Sequence, residues 1–220
     1  MGRDLRRLPW QVRYVHGRKA ASRWRRRMLL LTHNHVDLLI EPRVVIGPRF
    51  DLWMPAEATF HIADGCEFRR DFTCEIAPGG HIELADRVIF TDAALIQIST
   101  SLIIGSRAVF GQSVMIADGN HKFRDHTRHL LDQGYDFRPI TIGDNAIVTS
   151  KCTILNSIGE GAIIGAGSVV TNPIPAYCLA YGAPARVVEY FGPENLRPDG
   201  IEGPPAARRG PRKPAVTRTR

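Results

Sequence analysis

Long apolar runs are missing from this 220-residue chain. The longest near its start, Met28 to Leu31, is far shorter than the roughly 20 residues a bilayer-spanning helix needs. No extended apolar segment with a small-residue cleavage site follows the arginine-rich start, which argues against a secretory signal. Cysteine is scarce as well: Cys66, Cys74, Cys152 and Cys178 are the whole set, and none forms a Cys-x-x-Cys pair. A chain of this size does not need disulfides to fold, so reduced thiols in a cytoplasmic protein are the expectation. Acid is almost absent from the first 27 residues, where Asp4 stands against ten Lys or Arg. Residues 193–220 are also basic, with seven basic and three acidic residues. The overall charge of +7 therefore belongs to the ends, and residues 28–192 are net acidic. That distribution, with no recognisable nucleic-acid motif, argues against specific nucleic-acid binding. A basic end beside Met28–Leu31 can meet the inner face of an anionic membrane.

What is present is a repeat. From residue 98 an aliphatic or aromatic residue recurs every six positions, at Ile98, Ile104, Phe110 and Ile116. After a gap the rhythm resumes at Ile142, Val148 and Ile154, slips by four, and runs Ile158, Ile164, Val170. A weaker upstream set is Ile76, Ile82 and Val88. Gly follows the marked residue at 105, 111, 143, 159 and 165, and a small or polar residue often lies four places after it. A six-residue period fits neither a helix nor ordinary strand alternation. It fits a chain that turns a corner every six residues, three sides to a coil, with stacked coils sharing inward columns. The glycines are expected where the corner backbone is unusual.

The segments Ile142-Gly143-Asp144-Asn145-Ala146 and Ile158 to Thr171, closed by Gly182-Ala183-Pro184-Ala185-Arg186-Val187-Val188, resemble the hexapeptide-repeat acyltransferases. That family includes the maltose and galactoside O-acetyltransferases and the acetyltransferases of polysaccharide gene clusters. The resemblance covers roughly residues 70–191. It implies an all-β left-handed parallel β-helix, an exception to the usual right-handed crossover. The expected organisation is a basic amino-terminal extension over 1–43, the β-helix over 44–191, and a Pro/Arg-rich disordered tail over 192–220. An excursion loop is expected at 117–139. The extension is expected to cap the first coil.

The excursion begins Ala117-Asp118-Gly119-Asn120-His121. It resembles the family's Asp-His-Asn-His form with Gly119 in place of the first histidine, so the resemblance leaves His121 as the general base. A neutral imidazole can take a hydroxyl proton as that hydroxyl attacks a thioester. Whether Asn120 or Asp118 orients the ring stays open. His126 and His129 lack such support, and His16, His33, His35, His61 and His81 are expected to be structural or exposed. Cys152 occupies a small-residue position of the repeat and is expected to fill space.

Carried over by motif, the acyl-CoA contacts are Ser150, Ala166, Thr171 and Arg186, the last suited to phosphate. Relatives often have Thr-Lys where this chain has Thr171-Asn172, which puts one phosphate contact in doubt. The galactoside-type enzymes hold their sugar with an Asn and an Asp. The corresponding stretch, Gln97 to Ser101, lacks the carboxylate. The resemblance thus implies a CoA-dependent acyl, chiefly acetyl, transferase acting on a hydroxyl of a sugar, glycolipid or polysaccharide precursor. It also implies a homotrimer with sites between chains and no metal. Two alternatives remain: a γ-class carbonic-anhydrase-like zinc protein using His81, His121 and His126, and a basic adaptor at membrane or nucleic acid.

Overall fold

The computed structural model describes Pro9 and residues 17–201. Short strands wind into a three-sided prism whose sides are three parallel sheets. The first coil is β1 (Asp37–Ile40), β2 (Val45–Ile46) and β3 (Asp51–Trp53). The second is β4 (Thr59–Ile62), β5 (Glu67–Phe68) and β6 (Thr73–Ile76), and the third β7 (His81–Leu84), β8 (Ile89–Phe90) and β9 (Leu95–Ile98). The fourth is β10 (Ser101–Ile104), β11 (Val109–Phe110) and β12 (Met115–Ala117). A hairpin of β13 (Gly119–His121) and β14 (Tyr135–Phe137) then leaves the prism. The stack resumes with β15 (Ile140–Ile142), β16 (Ile147–Val148) and β17 (Thr153–Ile154), followed by β18 (Ile163–Ile164) and β19 (Val169–Val170). It ends in an antiparallel pair, β20 (Cys178–Gly182) and β21 (Ala185–Tyr190).

Strands one, four, seven, ten and fifteen form side A. Side B runs from β2 to β21, and side C runs from β3 through β6, β9, β12 and β17 to β19. The residues of the six-residue series point inward, as in Ile104, Phe110 and Ile116, all fully buried. Side B stacks Phe68, Phe90 and Phe110 with centroid separations of 5.6 and 4.4 Å and nearly parallel rings. Phe72 meets Phe68 and Phe90 edge-on.

The upstream set needs a correction of phase. The inward series there is Leu84, Phe90, Ile96, and Ile82 and Val88 are second inward residues two places earlier. The lower coils have four-residue strands on sides A and C that bury alternate residues, so two interleaved series are apolar. The slip between Ile154 and Ile158 is likewise the regular step of the upper coils, repeated from Val170 to Ile174, where side A shrinks to single bridges. It is the lower coils that are wider.

The glycines also act differently from expectation. The left-handed residues are two places later, at Arg107, Ser113, Asn145, Gly161 and Gly167. Gly111 is there because a Cβ would stand 2.5 Å from the backbone nitrogen of Ser150 in the next coil. Along the corners Arg43 pairs with Asp64, Arg49 with Asp71 and Arg70 with Asp92. The hydrogen bond from Arg70 holds the Asp92 carboxyl below its usual range. These pairs are exposed and contribute little to stability.

The stack begins at β1, upstream of the boundary expected at 44. Beneath it lies helix α1 (Arg18–Thr32), rich in Ala, Arg and Leu. Side chains from it and the next residues meet backbone groups that have no coil below. The Ser22 hydroxyl accepts from the Ile46 amide at 2.8 Å, Arg25 donates to the Ile46 carbonyl and Arg26 to that of Ile40. His33 and His35 meet the Leu52 and Met54 carbonyls at 3.1 Å. At the other end, residues 192–201 fold back rather than leave the prism. The Tyr190 hydroxyl donates to the Pro193 carbonyl at 2.6 Å, and Ile201 packs against the core. The remainder of the expected tail, 202–220, and the first residues of the extension lie outside the described residues.

Candidate active site

The site is rooted where side C turns towards side A in the fourth coil. Asp118 is buried there. Its carboxylate accepts from the amides of Ser99 at 3.0 Å and Thr100 at 2.6 Å, and from the Thr100 hydroxyl at 2.6 Å. Its carbonyl accepts from the Arg138 amide at 2.7 Å, closing the neck of the hairpin. Asp118 therefore anchors the hairpin to the coil below instead of orienting His121. Asn120 does not orient the ring either. It is exposed, and strand alternation turns it to the face opposite His121.

His121 packs against Tyr135 across the hairpin, ring centroids 4.3 Å apart, and Tyr135 stacks on Phe137 at 5.4 Å. The His121 Nδ1 is buried and has no hydrogen-bond partner among the described residues. Buried polar atoms are rarely left so. Nε2 is then the ring nitrogen able to meet a ligand. His121 lines two cavities. One, about 410 Å³, lies along side C between the hairpin and the coils below, and reaches Gln97, Glu75 and Trp53. The other, about 480 Å³, lies on the hairpin and is lined by Lys122, Arg124 and Arg128 with Asp125 and Asp136.

The four acyl-CoA candidates divide between two corners of the prism. Val148, Ile164 and Ala180 pair in register, so Ser150 and Ala166 occupy equivalent places on successive rungs of the corner between sides B and C. Arg186, exposed on β21, pairs with Tyr181 at the top of the same corner. Thr171 follows Val170, which is in register with Ile154 and, through it, Ile116. It stands above the root of the hairpin, and its carbonyl accepts from Asn156. Within one chain Thr171 and His121 share a corner, whereas Ser150, Ala166 and Arg186 lie at another.

The cysteines are buried. Burial pushes the Cys66 thiol up to about 11 and raises Cys74 and Cys178 too. The Cys152 thiol donates to the Gly165 carbonyl at 3.2 Å. All four fill the interior. His81 sits on side A against Glu83 and His126 is exposed on the hairpin. Among the described residues no three His, Cys, Asp or Glu side chains gather as a metal site.

Comparison with known proteins places this architecture. A solved variant of the N-acyltransferase AntD from Bacillus cereus, in complex with dTDP and coenzyme A, shares the fold with a TM-score of 0.55 at 12% identity. The match covers 78% of this chain and 91% of that one. The galactoside O-acetyltransferase of Escherichia coli is 34% identical over 90 residues, 40% of this chain and 43% of the relative. The dTDP-3-amino-3,6-dideoxy-alpha-D-galactopyranose 3-N-acetyltransferase of Aneurinibacillus thermoaerophilus is 52% identical over 50 residues, 23% and 24% of the two chains. The chain is similar in part of its sequence to acetyltransferases, and in fold to the solved acyltransferase. The prism is a left-handed parallel β-helix. The sequence matches no protein-family profile. The chain spans less than half the length of these two curated relatives.

The sequence alone did not reveal Glu75, Trp53, Tyr135 and Phe137 beside His121. A carboxylate lies one coil below Gln97: Glu75 accepts from the Gln97 amide at 2.8 Å. The 22-residue spacing of the lower coils was the signal that could have aligned Trp53, Glu75 and Gln97.

Proposed function

We propose that the chain is a CoA-dependent O-acyltransferase, acetyl-CoA being the first donor to test, that acylates a hydroxyl of a sugar, glycolipid or polysaccharide precursor. The observation that carries this reading is His121, held at the junction of two cavities with its buried Nδ1 unpartnered. The names of the curated relatives, an O-acetyltransferase and a sugar N-acetyltransferase, support it.

In this reading His121 Nε2 takes the acceptor's hydroxyl proton as the oxygen attacks the thioester carbonyl. The tetrahedral intermediate then collapses, the C–S bond breaks, and the proton passes to the departing CoA thiolate. Acyl transfer is direct, with no acyl-enzyme, in keeping with cysteines that are buried in the interior. A corner amide is a suitable donor to the oxyanion. The separation of Ser150, Ala166 and Arg186 from His121 within one chain favours a homotrimer in which one copy's corner faces a neighbour's hairpin. Lys122, Arg124 and Arg128 offer phosphate contacts in place of the lysine absent after Thr171.

Calorimetric titration with acetyl-CoA tests the reading without a known acceptor. Saturable binding near one CoA per chain is expected, and a folded trimer that binds none would reject it. The outer face of α1 adds a membrane contact. Trp24 and Leu31 are 63% and 68% exposed beside Arg23 and Arg27, while Arg25 and Arg26 turn inward to the first coil. That face suits an anionic bilayer surface. Full-length protein should co-sediment with phosphatidylserine vesicles and Trp24→Ser/Leu31→Ser should not; equal binding by both would sink the idea.

A further inference from the structure

Trp53, Glu75, Gln97 and Ala117 are register partners on four successive coils of side C, and each lines the cavity that ends at His121. Three rungs separate Trp53 from Ala117, about 14 Å along the prism axis. That is longer than a single pyranose ring. The cleft is furnished differently along its length. At the top, Gly119 lets the Phe137 ring lie close over the strand, since a Cβ there would stand 2.6 Å from that ring. The Tyr135 and Phe137 rings, stacked within 13° of parallel, wall that end. In the middle, the Gln97 amide donates to Glu75. This pair holds each partner in place and leaves free carboxylate and amide lone pairs for hydroxyl donors. At the foot stands Trp53, 54% exposed. An aromatic face of this kind suits the C–H face of a sugar ring.

The charge of the lining narrows the ligand further. Glu75 and Asp118 line the cleft, and no Lys or Arg does. The three cations of the hairpin line its other cavity. A phosphorylated or carboxylated ligand placed along side C would meet a carboxylate without a compensating cation, an arrangement that selects against it.

We propose that the side C cleft holds an uncharged glycan of more than one sugar, lying along the prism axis, with its reacting hydroxyl at His121 and a distal unit on Trp53. This rests on the acyltransferase reading and sharpens it: the acceptor is a neutral oligosaccharide or glycan chain, not a nucleotide sugar. Binding through the distal unit would lower KM for long acceptors and leave single sugars weak.

The test is a glycan array carrying neutral, sialylated and phosphorylated glycans from mono- to hexasaccharide, probed with the full chain in the presence of acetyl-CoA. Binding confined to neutral glycans and strengthening with length is expected. Trp53→Ala should weaken the longer neutral glycans about tenfold, near the upper end of what one aromatic contact contributes, and leave disaccharides unchanged. Glu75→Gln, which keeps the shape of the cleft, should weaken all neutral glycans. A preference for charged glycans, or a length dependence unaltered in Trp53→Ala, overturns the proposal. So does a lack of any neutral glycan binding. Acetyl-CoA titration of the same samples separates the two readings: intact CoA binding with a failed array rejects only the cleft assignment.

Discussion

Replacing His121 with alanine is expected to lower acyl-transfer turnover by about 10²- to 10⁴-fold, the usual contribution of a positioned general base. Acetyl-CoA affinity should stay within about twofold, because none of the proposed donor contacts, at Ser150, Ala166, Arg186 and the hairpin cations, uses the imidazole. The fold should survive as well. The hairpin is held by backbone pairing of β13 with β14 and by the Asp118 anchor, neither of which uses the imidazole. Loss of the ring frees space against Tyr135 and removes a buried nitrogen that lacked a partner. The decisive comparison is turnover beside calorimetric CoA affinity on one preparation. A variant that turns over normally on the true acceptor would reject the base assignment, and one that loses CoA binding would show a structural role.

Phe90→Ala is expected to destabilise the chain by about 3–5 kcal/mol, the range for truncating a buried aromatic. Phe90 is fully buried, sandwiched between Phe68 and Phe110, and met edge-on by Phe72. Phe68 and Phe72 belong to the coil below and Phe110 to the coil above. In a solenoid each coil is stabilised mainly by its neighbours, so the cavity weakens two interfaces at once. Urea unfolding followed by circular dichroism should give a lower midpoint. A shallower slope would show that the stack now unfolds in parts. A loss below about 1 kcal/mol would mean that the surrounding rings collapse into the gap.

The repeat was legible because one buried residue per side, at a spacing of six, leaves a mark that no helix or flat sheet makes. It was clearest in the upper coils, where Ile142 to Val170 run with one inward residue per side and a small one between. It blurred in the lower coils because longer strands bury two residues per side, and Ile82 and Leu84 are equally apolar for the same reason. The glycine pattern was legible but its cause was not. Close approach between coils depends on residues 16 to 39 places away, and a single corner read alone suggests only a turn. The hairpin was visible as an interruption and His121 as its odd residue. The role of Asp118 was hidden, since its partners Ser99 and Thr100 precede it by almost a full coil. Side C's cleft was invisible for a related reason: Trp53, Glu75 and Gln97 are ordinary residues until the 22-residue pitch of the lower coils sets them in one column.

The hairpin also bears on how such a chain can change. Ser106 reaches back 20 residues to Asp86 and forward 38 residues to Asp144, because the insertion lies between the fourth and fifth coils. Loop-closure entropy rises only with the logarithm of length, so nearly doubling that span costs about 0.6 kcal/mol. The rungs on either side stay in register, Leu102 with Ile82 and with Ile140. An arm that holds His121 can therefore be lengthened, shortened or exchanged at that corner with little thermodynamic penalty to the winding. Under the proposed function, acceptor choice can then diversify while the stacked interior of the prism stays the same.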